Sequence, residues 1–271
     1  MPPSYSYAGT VAAVAAAAVA AVYLLAPRKK AGVPHAAKAG VIDPLTAEEE
    51  VLKTRIKKHY DDCSPSYQEM WGKHIHHGLW RPGSEHLTKE QAQEALVEDM
   101  LSHANLPRNA KVLDVGCGVG GTSCKLAALG HSLTGVSLST KQIEMAKANA
   151  AREGVSVRFL EMDGEKLSFP GEEGTFDAVW ISEALSHFPR KDAFFAHAMR
   201  LLKPGGKVVV VDWFRADNIG AALLDGCIAA IEKGMLVPPM ETVTGYCKLL
   251  TAAGGRPIYM DDISKETAKT C

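Results

Sequence analysis

One run constrains this chain more than any other: "AKVLDVGCGVGGTSCKLAALG", residues 110–130. It leads a short apolar strand into a glycine-rich turn, then directly into a helix ending at Gly130. Glycines at such a turn let the backbone approach a ligand closely. Further short apolar strands follow near 131–137, 156–161, 175–181 and 207–213, with helical segments at 139–153, 190–202 and roughly 241–252. Alternation of this kind predicts an α/β fold, a Rossmann-like doubly wound parallel sheet with helices on both faces. Ligands of such sheets bind beyond the carboxyl ends of the strands.

Gly116, Gly118 and Gly121 satisfy Gly-x-Gly-x-x-Gly, so a dinucleotide has to be weighed. Three neighbours bear on it. Asp114, two residues before Gly116, suits the cationic amino-acid end of a ligand and would repel a pyrophosphate. An NAD site wants an acidic residue about 20 residues further on, where this chain has Ser137. Ser137 with Lys141 keeps an NADP-dependent oxidoreductase as an alternative. Asp163, after the third of these strands, can take an adenine amino group or serve as a helix cap or turn residue.

The remaining composition narrows the partners. The chain has 271 residues and a net formal charge of −1, which argues against nucleic acid. Its six cysteines are scattered and read as reduced thiols. Residues 8–26 carry no charge and precede Pro27 and the basic Arg28, Lys29 and Lys30. Nineteen helical residues would span roughly 28 Å, about a bilayer's hydrocarbon thickness. The expectation is a membrane anchor within residues 1–30, with the rest of the chain facing the cytosol. A cleaved targeting sequence and a plain tail are the alternatives; without the anchor the chain reads as cytoplasmic. Residues 31–45 read as a linker, 46–108 as an N-terminal segment and 109–271 as the core.

Four motifs in order, "VLDVGCGVGG", "MDGEKLSF", "FDAVWISEALSHF" and "LLKPGGKVVVVDW", resemble the class I S-adenosylmethionine-dependent methyltransferases. The resemblance covers residues 110–213. It implies S-adenosylmethionine as cofactor, with Gly116, Gly118 and Gly120 along its methionine part and Asp163 with Gly164 at the adenine. "GVSLSTKQ" is similar to a subset in which a hydroxyl residue and a following Gln, here Ser137 and Gln142, hold the ribose. The bland reading of Gln142 is a surface helix position.

"WGKHIHHGLW", residues 71–80, holds His74, His76 and His77 between two tryptophans. A His-x-His pair can bind metal on a β-barrel, but nothing here predicts a barrel or supplies further ligands. No metal is expected. With its upstream neighbours, "HYDDCSPSYQEMWGKHIHHGLW" resembles the N-terminal segment of γ-tocopherol methyltransferases and related plant N-methyltransferases, and more distantly sterol C-methyltransferases and cyclopropane-fatty-acid synthases. That resemblance implies a helical lid over the cofactor, with Tyr60 on it and His76 and His77 facing the substrate as donors or bases. Glu183 and His187 match acidic and imidazole positions of the tocopherol-type pattern. Ser186 replaces a second Glu, which argues against cyclopropane-type chemistry. The implied reaction is methyl transfer to a small lipophilic phenol, aromatic carbon, amine or hydroxyl, with His76, His77, Glu183 or His187 accepting the proton.

After "PIYMDDIS", read as the sixth strand, only "KETAKTC" follows. The fold normally adds a seventh, antiparallel strand between the fifth and sixth. That strand is expected to be missing at the C-terminus, leaving two exposed edges and, as an alternative, an inactive cofactor-binding protein.

Overall fold

The structure, a computed structural model, describes residues 17–25 and 45–270. Seven strands form one sheet: β1 (Ala17–Leu25), β2 (Lys111–Val115), β3 (Ser132–Ser137), β4 (Val157–Glu161), β5 (Phe176–Ser182), β6 (Leu202–Arg215) and β7 (Arg256–Asp262). Their order is β4-β3-β2-β5-β6-β1-β7. The first five in that order run parallel, and β1 pairs antiparallel with both neighbours. The helices of seven residues or more are α1 (Ala47–Trp71), α2 (Lys89–Ala104), α3 (Gly121–Ala128), α4 (Thr140–Glu153), α5 (Lys191–Leu201), α6 (Ala229–Met235) and α7 (Val243–Ala252).

Both faces of the central strands are covered, so β5 and β6 are apolar and buried without a break over Ala178–Ile181 and Val208–Val211. Successive side chains point to opposite faces and divide the core in two. Leu113, Val115, Val179, Ile181, Val208 and Val210 pack under α5 and α7 with Phe194, Phe195, Tyr246 and Leu250. Val112, Ala178, Trp180, Val209 and Val211 pack against Leu96, Val97 and Met100 of α2 and Leu126 of α3. The chain winds outward from β2 to β4, then returns to β5 on the other side of β2. The crevice between the carboxyl ends of β2 and β5 is therefore the switch point at which such sheets bind ligands.

The expected membrane helix over residues 8–26 is not what the structure holds in its central part. Ala17–Leu25 is strand β1, paired along nine positions with β6, from Ala17 opposite Arg215 to Leu25 opposite Lys207. On its other side it pairs with β7, from Ala20 opposite Asp262 to Leu25 opposite Arg256. The rest of the run, residues 8–16 and 26, and the basic cluster lie outside the described residues. Among the described residues no helix is long and apolar enough to cross a membrane. The cytosol-facing orientation rested on that helix and falls with it. An uncharged Ala/Val run can satisfy its backbone within a helix or between two strand edges, and hydropathy does not see the slot between β6 and β7. No strand follows β7 among the described residues, yet β1 supplies the partner that both edges were expected to lack.

Local chemistry starts the two helices before the core. Thr46 with Glu49 and Thr88 with Gln91 form reciprocal capping boxes at α1 and α2. The apolar segment after β6 folds into a π-helical turn over Leu224–Ile228 and then α6. Its Ile228, Ile231, Val237 and Met240 make a small cluster against Trp213.

Candidate active site

A cleft enclosing about 800 Å³, open solvent at its mouth included, lies at the switch point under α1. It brings together most of the residues expected from the sequence: Tyr60, Gly116, Gly118, Ser137, Gln142, Asp163, Gly164, Glu183 and His187. Asp114 and His76 line a smaller recess that shares Gly116 and Gly118 with it. Gly120 and His77 line neither space.

The three glycines of the turn do different work, although all have left-handed φ. A Cβ on Gly116 would meet Ala184 Cβ at 2.4 Å, so this glycine lets the β2 and β5 loops pack together. A Cβ on Gly120 would meet Phe159 at 2.9 Å and Ala146 at 3.0 Å, which makes it a packing position between strand and helix. Gly118 has nothing within 4 Å of that point and lines the cleft. There the backbone leaves room for a ligand, as a bound S-adenosylmethionine would need. Asp114 is buried, accepts a 2.6 Å hydrogen bond from Ser123, and is pushed up to about 6 by burial despite that bond.

Ser137 donates to Gln142 Oε1 at 2.7 Å, and its oxygen accepts from the Ser139 N–H at 3.1 Å. This leaves the Gln142 amide NH2 as the donor available to a ribose hydroxyl. Asp163 is not an open acceptor. Its Oδ1 takes the Glu165 N–H at 3.0 Å and its Oδ2 pairs with Lys53 of α1. Lys53 also binds Glu165 at 2.5 Å, with side-chain exposures of 11% and 3%. Burial pulls the Lys53 pKa down, but its two carboxylates more than offset this and hold it above its ordinary value. Two more contacts fasten α1 across the cleft: Asp61 accepts from Ser139 at 2.6 Å and from the Lys141 N–H at 3.1 Å.

Sequence reasoning missed Lys53 and Asp61. The available signal was helical spacing: residues 53, 56, 57 and 60 lie on one face of α1 and line the cleft.

At the β5 end, Glu183 has φ 49°, a left-handed conformation uncommon for a residue with a side chain. Its carboxylate accepts from the His77 N–H at 2.8 Å, from His77 Nδ1 at 2.7 Å and from the Trp213 indole at 2.9 Å. Burial works against its charge, but His77 and these bonds overcome that and hold its pKa near 2. Both Glu183 oxygens are thus engaged by His77, and one also by Trp213. His77 sits edge-on between Trp71 and Trp213, with ring centroids at 5.7 and 5.4 Å.

The other two histidines belong to the recess. His76 Nδ1 meets its neighbour's carbonyl at 2.8 Å, and its Nε2 lies 3.2 Å from His74 Nδ1. Burial lowers both pKa values, that of His74 to about 2, so both rings are neutral. Gln93 of α2 fixes this stretch by donating to the carbonyls of His74 and His76 at 2.8 and 2.9 Å. Among the described residues no cluster of three His, Cys, Asp or Glu side chains is arranged to hold a metal ion.

His187 lies in the turn Leu185–His187. Its Nε2 meets the Tyr60 hydroxyl at 2.9 Å, and its Nδ1 faces the Leu236 carbonyl at 3.4 Å. A carbonyl can only accept, so Nδ1 carries the proton and Nε2 takes the Tyr60 O–H. Burial lowers the His187 pKa to about 4 and raises that of Tyr60.

The comparisons with known proteins agree with this geometry. Residues 113–210 match the family described as "Methyltransferase domain". The tocopherol O-methyltransferase of Arabidopsis thaliana is 33% identical over 235 residues, 81% of this chain and 68% of that one. A rice (Oryza sativa subsp. japonica) protein of the same group is 36% identical over 173 residues, 60% of this chain but 47% of that one. The chain thus spans between about half and two thirds of these relatives. Among solved structures, the [4+2]-cyclase SpnF superposes with a TM-score of 0.69 at 25% identity, covering 79% of this chain and 76% of that one. A cyclase on this fold shows that architecture alone does not certify methyl transfer. Sequence similarity and cleft together place this chain among the class I S-adenosylmethionine-dependent methyltransferases, near the tocopherol methyltransferase group.

Proposed function

We propose that the cleft binds S-adenosylmethionine and that the chain transfers its methyl group to a small lipophilic acceptor bearing an acidic proton, a phenol or hydroquinone. The observation that carries this reading is the Tyr60–His187 hydrogen bond, 2.9 Å long, in the same cleft as the glycine turn. The cofactor would supply a methyl group already activated by its sulfonium, so the protein's task is to orient it, exclude water and take up one proton. Gly118 and the turn would accept the methionine part, with Asp114 toward its ammonium. Gln142 and Ser137 would meet the ribose; Asp163 and Gly164 would meet the adenine edge.

On the acceptor side, the acceptor's proton would pass to the Tyr60 oxygen as Tyr60 gives its own to His187 Nε2. When bound, S-adenosylmethionine would supply the methyl group for the new carbon–oxygen or carbon–carbon bond, the electrons of its methyl–sulfur bond going to sulfur. Glu183, held by His77 and Trp213, keeps a negative charge on the wall of the cleft that would receive the cofactor. His76 and His77 then act as wall and anchor rather than as bases. Residues 46–108 serve as a lid unit over a core of residues 109–271, with α1 fastened by Lys53 and Asp61.

The similarity to tocopherol O-methyltransferases supports a prenylated phenol as acceptor. Calorimetric titration of the full chain with S-adenosylmethionine, with NADPH as control, tests the cofactor; binding of NADPH alone would sink the reading. Methyl incorporation from labelled cofactor into a tocopherol, a phytyl hydroquinone, a sterol and an amine tests the acceptor. Transfer to the amine alone would overturn the phenolic assignment.

A further inference from the structure

The fold carries two buried charges that neither bind the cleft's contents nor pair directly with each other, and both are used on one turn. Asp212, in the interior of β6, is fully buried. Its Oδ2 accepts from the Ser186 N–H at 2.6 Å and from the Tyr246 hydroxyl at 3.1 Å, and its Oδ1 accepts from the Trp213 N–H at 2.8 Å. Lys191, the first residue of α5, is 7% exposed. Its ammonium donates to the carbonyls of Ser186 at 3.3 Å and Phe188 at 2.8 Å. Ser186 is therefore held by both of its peptide groups, and His187 stands between two residues whose backbones are pinned.

A buried ammonium and a buried carboxylate persist only where partners offset the lost hydration. Here most of those partners are peptide groups of one short turn. That turn also decides where the His187 ring lies. With its backbone pinned on both sides, the ring can reach the Leu236 carbonyl with Nδ1 and Tyr60 with Nε2 at once. If the turn moved by a few tenths of an ångström the 3.4 Å contact to Leu236 would be lost first, and with it the preference for one tautomer.

We propose that Lys191 and Asp212 are positioning residues: they clamp the turn so that His187 keeps a single tautomer with Nε2 aimed at Tyr60. The inference rests on the reading that His187 takes up the acceptor's proton, but its test does not need an acceptor. Lys191→Met keeps the chain length and removes the donor; Lys191→Arg keeps a donor. Asp212→Asn keeps the volume and removes the charge, and Tyr246→Phe removes one partner of Asp212 as a milder route.

The readout is the imidazole nitrogen spectrum of uniformly ¹⁵N-labelled full-length protein, with His187→Gln to assign the signal and circular dichroism to confirm folding. In the wild type His187 should be one Nδ1–H tautomer that stays neutral to about pH 4. In Lys191→Met and Asp212→Asn it should become a tautomer mixture, with its pKa rising toward the unperturbed value of about 6.5. Lys191→Arg should stay near the wild type, and Tyr246→Phe should fall between.

Folded Lys191→Met or Asp212→Asn protein with an unaltered His187 spectrum overturns the proposal. Should neither fold, an unaltered spectrum in Tyr246→Phe does the same. Calorimetry with S-adenosylmethionine on the same samples separates the two readings. Loss of binding in the wild type would sink the methyltransferase assignment, whereas the tautomer result judges the clamp alone.

Discussion

Lys53 is the side chain whose loss should be felt most, because it neutralises two carboxylates while joining α1 to the core. Lys53→Met keeps the side-chain length but removes the ammonium from Glu165, 3% exposed, whose Oε1 keeps the Arg190 N–H at 2.5 Å. Asp163, 19% exposed, would retain the Glu165 N–H. Removing one partner of a buried ion pair costs roughly 3–5 kcal/mol, mostly through the charge left behind. At roughly 2–4 °C per kcal/mol for a domain of this size, the melting temperature should fall by roughly 6–20 °C. The loss is limited by what holds α1 in place; beyond that limit α1 detaches, and protease should cut first between residues 45 and 71. Glu165→Gln keeps an acceptor for the Arg190 N–H and removes the orphaned charge. The double variant should therefore recover about 2 kcal/mol relative to Lys53→Met alone. Urea denaturation and limited proteolysis of the four proteins complete the cycle. A Lys53→Met protein within about 0.5 kcal/mol of wild type, the scatter of a surface substitution, or a double variant no better than the single, would refute the argument.

Three further outcomes follow from the site and the sheet. Gly118→Val puts a branched side chain into the cleft at a left-handed φ, so calorimetry should show S-adenosylmethionine affinity falling by more than about tenfold, or 1.4 kcal/mol, in a folded protein; unchanged affinity would remove the turn from the site. His187 has a folded pKa near 4 against about 6.5 in the unfolded chain. The unfolded state binds its proton first, so this contribution is intact above pH 6.5 and is lost as pH falls toward 4. The stability of wild type relative to His187→Asn should drop across that window by no more than about 3 kcal/mol. Urea titrations at pH 7 and pH 4.5 measure it, and the raised carboxyls of Asp114 and Asp212 cancel because both proteins carry them. Val22→Pro removes an N–H from β1 opposite Val210 and Met260. Hydrogen exchange of the β6 and β7 amides should accelerate more than tenfold, and unchanged protection would mean that β1 does not occupy the slot.

Much of this was legible along the chain because the signals are local. A strand, three glycines and a helix start lie within one run, and short apolar strands alternating with helices leave little choice but a parallel sheet. Ser137 and Asp163 fall at or just past strand ends and Gln142 in the first turn of the helix after β3, so placing the strands places them at the cleft. Glu183 and His187 were located in the same way, but their roles were not. The carboxylate expected to act as a base is spent on His77 and Trp213, residues 106 and 30 positions away. Gly120, expected against the cofactor, turned out to face Phe159 and Ala146.

Periodicity and turn chemistry are properties of neighbours in sequence, so the parallel core, the glycine turn and the caps of α1 and α2 were determined by sequence alone. Tertiary structure decided the rest. The fate of the N-terminal apolar run depended on a vacant slot between two strands that lie some 180 to 245 residues further along. Lys53 acquired its meaning from Asp163 and Glu165, 110 and 112 residues on, and His187 its tautomer from Leu236, 49 residues on. Charge, burial and hydrogen bonding act through space. The sequence names the groups that can interact, and the fold decides which of them meet.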